Sequence, residues 1–184
     1  MAEHLLLVGM MGAGKSTVGR IVAARLGRVH IDTDEEVERI AGSSVSAIFS
    51  AHGEAWFRAE ESRVVASVLA GAVPAVISVG GGAVLDPVTR LALRARGTVV
   101  WLRARPETLA RRVGGTGDRP LLAAEAGGPA AEGPTAVLAR LEAERRPMYE
   151  EVASTVIDVD GLTPEAVVDW VVAGVAGGPD EVRR

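Results

Sequence analysis

The chain reads as an α/β fold of three layers, with a central parallel sheet of about five strands covered by helices on both faces. Three observations carry this. Short apolar runs alternate with segments of helical spacing, two of the runs end directly in glycine, and prolines stand where helix first turns are expected. The run 4–8 ends at Gly9 and, after a glycine-rich turn, gives way to a helical pattern over 16–26. A second strand, 29–31, delivers Asp32 and Asp34 at its carboxyl end, and 35–40 starts another helix. Residues 53–69 carry helical spacing with charges on one face, and the strand 75–79 runs straight into Gly80, Gly81 and Gly82. Pro87 opens a helix reaching about residue 95, before a strand over 98–102. Pro106 opens a helix that fails near Gly114 and Gly115. From there to Pro134 the abundance of Gly, Ala and Pro predicts a mobile excursion, with a lid over about 113–126. A helix over 135–151, a strand over 155–159 and a helix over 164–175 complete the pattern, and 177–184 is expected to fray.

Composition narrows the function. The 184 residues suit a single domain over 1–184, and 48% hydrophobic with 24% charged residues is the balance of a folding globular chain. No apolar run approaches the ~20 residues that span a bilayer, and the start shows neither basic leader nor cleavage site, so a cytoplasmic protein without membrane attachment is expected; a monomer is expected as well. A net charge of −4 argues against nucleic-acid binding. The chain has no cysteine, which excludes disulfides, thiol catalysis and thiolate metal sites. His4, His30 and His52 lack ligand spacing, and Trp101 and Trp170 read as core.

Gly9, Gly14, Lys15 and Ser16 match G-x-x-x-x-G-K-[ST] between an expected strand and an expected helix, with Gly12 an extra glycine inside the loop. Such a loop turns backbone N–H groups inward around phosphate oxygens, the helix amino terminus adds positive potential, the lysine reaches the outer phosphates and the serine can ligate Mg²⁺. Gly12, Ala13, Gly14, Lys15, Ser16 and Thr17 are therefore the candidate nucleotide cradle. Lys15 is the only lysine in a chain otherwise supplied with arginine, at the place where a compact ammonium suits phosphate best. The N-K-x-D motif of guanine recognition needs a second lysine, so the nucleotide is expected to be ATP.

Phosphoryl transfer also needs an acidic group for the metal and a residue to orient the attacking oxygen. The strand 75–79 ends in glycines, so Asp32-Thr33-Asp34 is the obvious source. Alternate residues of an extended segment point to opposite sides, which would turn Asp32 to Mg²⁺ through water and Asp34 to the acceptor. Asp34 could equally cap the helix that follows it.

Together, GMMGAGKS at 9–16, DTD at 32–34, FR at 57 and 58, GGG at 80–82 and DRPLL at 118–122 resemble shikimate kinase in order and approximate spacing, over nearly the whole chain. The resemblance implies a P-loop kinase fold with a mobile lid, ATP and shikimate as small-molecule substrates, Mg²⁺ as cofactor, and a step of aromatic amino-acid biosynthesis. It implies catalytic roles for Lys15, Asp34 and Arg119, with Asp32 helping to hold Mg²⁺, Asp34 on the acceptor hydroxyls and Arg58 on its carboxylate. It implies Arg145 as a second carboxylate ligand, with Arg146 the adjacent competitor, and places Arg112 and Pro164 around the adenine, with Arg111 beside Arg112. Gly80, Gly81 and Gly82 would bring backbone N–H groups close to the acceptor. Phe49 and Phe57, the only phenylalanines, are placed against the acceptor ring and serve equally well as core. Gluconate kinase and nucleoside monophosphate kinase are the enzymatic rivals, against which the DTD, FR and GGG combination speaks. A silent ATP-binding module is the rival of another class, against which intact Lys15, Ser16, Asp32, Asp34 and Arg119 speak.

The unique lysine generates a direct test. An amine-selective reagent should modify Lys15 and the amino terminus only, and saturating MgATP should protect Lys15; peptide mapping that shows equal labelling with and without MgATP would count against its placement.

Overall fold

The structure, a computed structural model, describes residues 3–114 and 133–177. Among them, five strands form one parallel sheet: β1 (His4–Val8), β2 (Val29–Asp32), β3 (Ala75–Ser78), β4 (Gly97–Arg103) and β5 (Thr155–Asp158), in the order β2-β3-β1-β4-β5. The covering helices are α1 (Lys15–Leu26), α2 (Thr33–Ala41), α3 (Val45–Leu69), α4 (Pro87–Arg96), α5 (Pro106–Gly114), α6 (Pro134–Val152) and α7 (Pro164–Gly177). A 3₁₀ turn, Ala83–Leu85, precedes α4. Arg119, DRPLL, most of the expected lid and the tail from 178 lie outside the described residues.

Every residue of β1 and β3 is buried, which is why both read as unbroken apolar runs rather than alternating ones. Leu7 of β1 lies beside Ser78 of β3, and Ser78 beside Asp32 of β2. The carboxyl ends of three strands are thus level, and Gly9, Asp32 and Gly80 emerge at one edge of the sheet. The main core packs Leu5, Leu6, Leu7, Ile77, Trp101 and Leu102 against Val22, Leu93, Leu138 and Val168 from helices on both faces. A second, smaller core of Val37, Val45, Ile48, Phe49, Phe57 and Val64 joins α2 to α3.

The expected elements all form, with ends shifted by a residue or two, except that α3 begins well before residue 53. It starts at Val45, where Ser44 caps it by accepting from Ala47 N–H at 3.3 Å, and Gly53 kinks it with φ 79° and ψ 172°. That left-handed φ suits only glycine, so the expected helix over 53–69 starts at the kink and a further helical stretch precedes it. Trp170 departs from expectation: it is 53% exposed on α7, while Val167, Val168 and Val171 take the core. A helix apolar on nearly every position does not reveal its buried face by periodicity.

Asp86 anchors the chain after the glycine turn. It caps α4 by accepting from Val88 N–H at 3.1 Å and Thr89 N–H at 3.2 Å, and takes further bonds from the Thr89 and Ser62 hydroxyls. Burial pushes its carboxyl upward, but the Thr89 hydroxyl, the two N–H groups and Ser62 outweigh it and hold the carboxyl below the usual carboxylate range. A depressed acid stabilises the fold above its unfolded value, and that contribution is lost as pH falls through the folded one. Asp86→Ala should therefore cost about 1 kcal/mol at pH 7, the usual scale of a cap, and progressively less below about pH 4. Urea midpoints of parent and variant check this; a gap that stays constant down to pH 2 contradicts it.

Candidate active site

The loop after β1 takes the shape its glycines allow. Gly12 (φ 79°) and Gly14 (φ 96°) are both left-handed, and a methyl on Gly12 would also press on Val113 at 2.9 Å. No side chain caps α1, so the N–H groups of its first turn open on the cleft with the positive end of the helix dipole. Lys15 Nζ donates back to Gly9 O at 2.8 Å and Met10 O at 3.1 Å. Its ammonium is thus held inside the loop that would surround a phosphate.

Asp32 is buried and both its oxygens are used: Oδ2 accepts from the Ser16 hydroxyl at 2.6 Å and Oδ1 from Asp34 N–H at 3.0 Å. The second bond makes Asp32 the cap of α2. Asp34 is therefore not the cap but a first-turn residue. Because α2 already begins at Thr33, the helix turn, not strand alternation, separates the two aspartates. Thr33 is fully buried and accepts from Gly80 N–H at 2.8 Å.

Both aspartates line one cleft of about 470 Å³, together with Lys15, Ser16, Gly81, Gly82 and Arg145. At its far wall the glycines are required by close approach. A methyl on Gly80 would collide with Glu61 and stand 2.5 Å from Asp34 Oδ1, and one on Gly82 would collide with the guanidinium of Arg58. Arg58 is aimed there by Glu61, buried to 2% exposure, whose Oε2 accepts at 2.7 Å. Glu54 accepts more weakly, at 3.4 and 3.5 Å. The guanidinium also lies over the rings of Phe57 and Phe49, at 5.2 and 5.9 Å from their centroids. Both phenylalanines belong to the small core, with ring centroids 4.7 Å apart, and Phe57 also lines the cleft.

The two ambiguous arginine pairs separate in space. Arg145 is buried in the cleft wall, whereas Arg146 is exposed and pairs with Glu142 at 2.8 Å. Arg112 lines the cleft and donates to Gly12 O, Ala13 O and Val159 O at 3.2 to 3.4 Å, whereas Arg111 is exposed. Arg112 thus ties the phosphate loop to the segment leading from β5 to Pro164, which is exposed at the start of α7. Glu61, Thr33 and the hydroxyl of Tyr149, which donates to Gly81 O at 2.7 Å, are contributions that sequence reasoning missed. The Arg58-x-x-Glu61 spacing was the one available signal for the first; nothing local marks the others.

A phosphate loop on the central strand, a serine–carboxylate pair beside its lysine, and a cleft that continues from them to Asp34 and Arg145 define a P-loop kinase. The family model described as shikimate kinase matches residues 11–176. A shikimate kinase of Paramagnetospirillum magneticum is 44% identical over 95% of this chain and 85% of its own length, and one of Symbiobacterium thermophilum is 47% identical over 90% and 91%. Among solved structures, shikimate kinase from Acinetobacter baumannii in complex with shikimate superposes with a TM-score of 0.87 at 32% identity, covering 100% of this chain and 97% of that one. A gluconokinase from Sinorhizobium meliloti, at TM-score 0.54 and 18% identity, shares the fold alone. The chain belongs to the shikimate kinase family, and is an ATP-dependent phosphotransferase with an alcohol group as acceptor.

Proposed function

We propose that the chain transfers the γ-phosphoryl group of ATP to the 3-hydroxyl of shikimate, giving shikimate 3-phosphate and ADP, in the pathway to aromatic amino acids. The observation that carries this reading is the convergence of Asp34 and Arg58 on the glycine turn, whose Gly81 and Gly82 line the cleft that begins at Lys15. A small polyhydroxy acid needs carboxylate oxygens for its hydroxyl hydrogens and a guanidinium fork for its own carboxylate. Both groups are present, with Arg145 as a second cation on the cleft wall.

The residues act in named roles. The N–H groups of residues 14–17 and the Lys15 ammonium bind the phosphates, with Gly12 and Ala13 shaping the loop, where Ala13 N–H is donated to Met10 O at 3.2 Å, and Lys15 exchanging its two loop carbonyls for phosphate oxygens. Ser16 and Asp32 offer the hard oxygen donors that suit Mg²⁺, which neutralises phosphate charge when bound and keeps several of its waters. Arg112 and Pro164 enclose the adenine. Arg58 and Arg145 hold the acceptor carboxylate against Phe49 and Phe57, and Asp34 orients the hydroxyl. As the hydroxyl oxygen bonds to the γ-phosphorus, the bond to the β–γ bridging oxygen breaks and the proton leaves toward Asp34. Arg119, by the family resemblance, adds positive charge to the group in flight. With all of these from one chain, the reading is of a monomer acting in the cytoplasm.

ADP release measured in parallel with shikimate, gluconate, AMP and CMP tests the reading. Shikimate alone should support turnover; equal rates with gluconate would overturn it. Arg58→Ala should weaken shikimate by roughly 1.5–3 kcal/mol and leave ATP nearly unaffected, because it removes a charge-assisted pair at the acceptor end only. Calorimetry showing parental shikimate affinity would refute that role. Asp34→Asn should keep ATP affinity and lower turnover on the order of 10²–10⁴-fold if the carboxylate takes the proton. A variant working at the parental rate would remove Asp34 from the reaction.

A further inference from the structure

The three glycines of the turn pose a mechanical problem. None of Gly80, Gly81 and Gly82 has a left-handed φ, and Gly82 sits at φ −91°, ψ −11°. Any residue could adopt such a backbone, so the glycines serve close approach, not an unusual conformation. Glycine is also the residue with the most backbone freedom to lose, and a run of three has no side chains with which to lock itself. A wall that must present N–H groups at a fixed place therefore needs to be held from outside.

Two fully buried side chains do this on consecutive residues. Thr33 Oγ1, at the start of α2, accepts Gly80 N–H at 2.8 Å. Tyr149, on α6, donates its hydroxyl to Gly81 O at 2.7 Å while its ring stacks on Trp101 with centroids 5.4 Å apart. In a trans peptide the C=O and N–H point opposite ways, so drawing Gly81 C=O toward Tyr149 turns Gly82 N–H the other way. Gly81 and Gly82 line the cleft, and among the described residues nothing accepts from their N–H groups. Thr33 stands between Asp32 and Asp34, and Tyr149 stands one helical turn after Arg145, on the same face of α6. Each clamp thus belongs to an element that also carries a cleft residue.

We propose that Thr33 and Tyr149 are positioning residues for the acceptor: they fix the glycine turn so that its open N–H groups meet a polar oxygen of the acid held by Arg58. The proposal rests on the shikimate reading above. The test is steady-state kinetics on Tyr149→Phe, Thr33→Val and Thr33→Ser, each varied separately in shikimate and in ATP, with melting temperatures taken alongside. Tyr149→Phe and Thr33→Val should each raise the KM for shikimate about tenfold, the scale of one hydrogen bond, with the KM for ATP within about twofold. Thr33→Ser, which keeps the hydroxyl, should return the shikimate KM to near the parental value. Tyr149→Phe keeps the ring on Trp101 and decides the matter even if Thr33→Val fails to fold. A parental shikimate KM in Tyr149→Phe, or equal rises in both KM values, overturns the clamp. A parent enzyme that ignores shikimate overturns the reading beneath it instead.

Discussion

The carboxylate of Asp32 is the joint on which the site depends. One oxygen takes the hydroxyl of Ser16 on the phosphate-loop helix, and the other takes the N–H of Asp34 and so starts α2. A buried carboxylate is costly to hold unless its oxygens are satisfied, and these two bonds supply that while joining two otherwise separate elements. Because β2 is registered with β3 at Asp32 and Ser78, the joint lies level with the glycine turn that follows β3. The direction of α2 then sets the rest: Thr33 falls against the turn and Asp34 against the cleft.

The acceptor side carries its own small core, which changes how its aromatic residues should be understood. Phe49 is 9% exposed and Phe57 2%, so both do the ordinary work of holding α2 and α3 together. Their rings nevertheless lie under the Arg58 guanidinium, where a desolvated cation gains from a π face. The rings that fill this core also back the guanidinium. A substitution at either position would loosen the lobe and misplace the arginine together, so a loss of acceptor affinity there could not by itself separate contact from packing.

What was legible in the sequence follows from the range of each interaction. The phosphate loop was legible because its chemistry is local: glycines, a lysine and a serine within eight residues, framed by a strand and a helix. DTD and GGG were legible as pieces, and Arg58 as a partner for an acid. The bonds that join the pieces, Thr33 to Gly80 across 47 residues and Tyr149 to Gly81 across 68, were not. Strand order decides them, and no local pattern states strand order. The first half of α3 was missed for a local reason: Gly53 does break the helical backbone, and the stretch that precedes it runs on to it as a separate helical segment across the kink.

The electrostatics of Arg58 decide how an acidic acceptor can bind. Among the described residues the guanidinium pairs with two carboxylates, Glu54 and Glu61, and an arriving third must share or displace one. Glu61 is buried and bound at 2.7 Å; expelling it would leave a charge in a place water cannot reach. Glu54 is 53% exposed and no closer than 3.4 Å, the kind of surface contact that contributes about 0–1 kcal/mol and returns readily to solvent. If Arg58 holds the acceptor carboxylate, as proposed above, that carboxylate competes with Glu54, while Glu61 keeps the fork aimed at the glycine turn. On that proposal a net-acidic protein binds an acid because the interior carboxylate orients the arginine, and the exchangeable one would hold its outer face until the acid arrives.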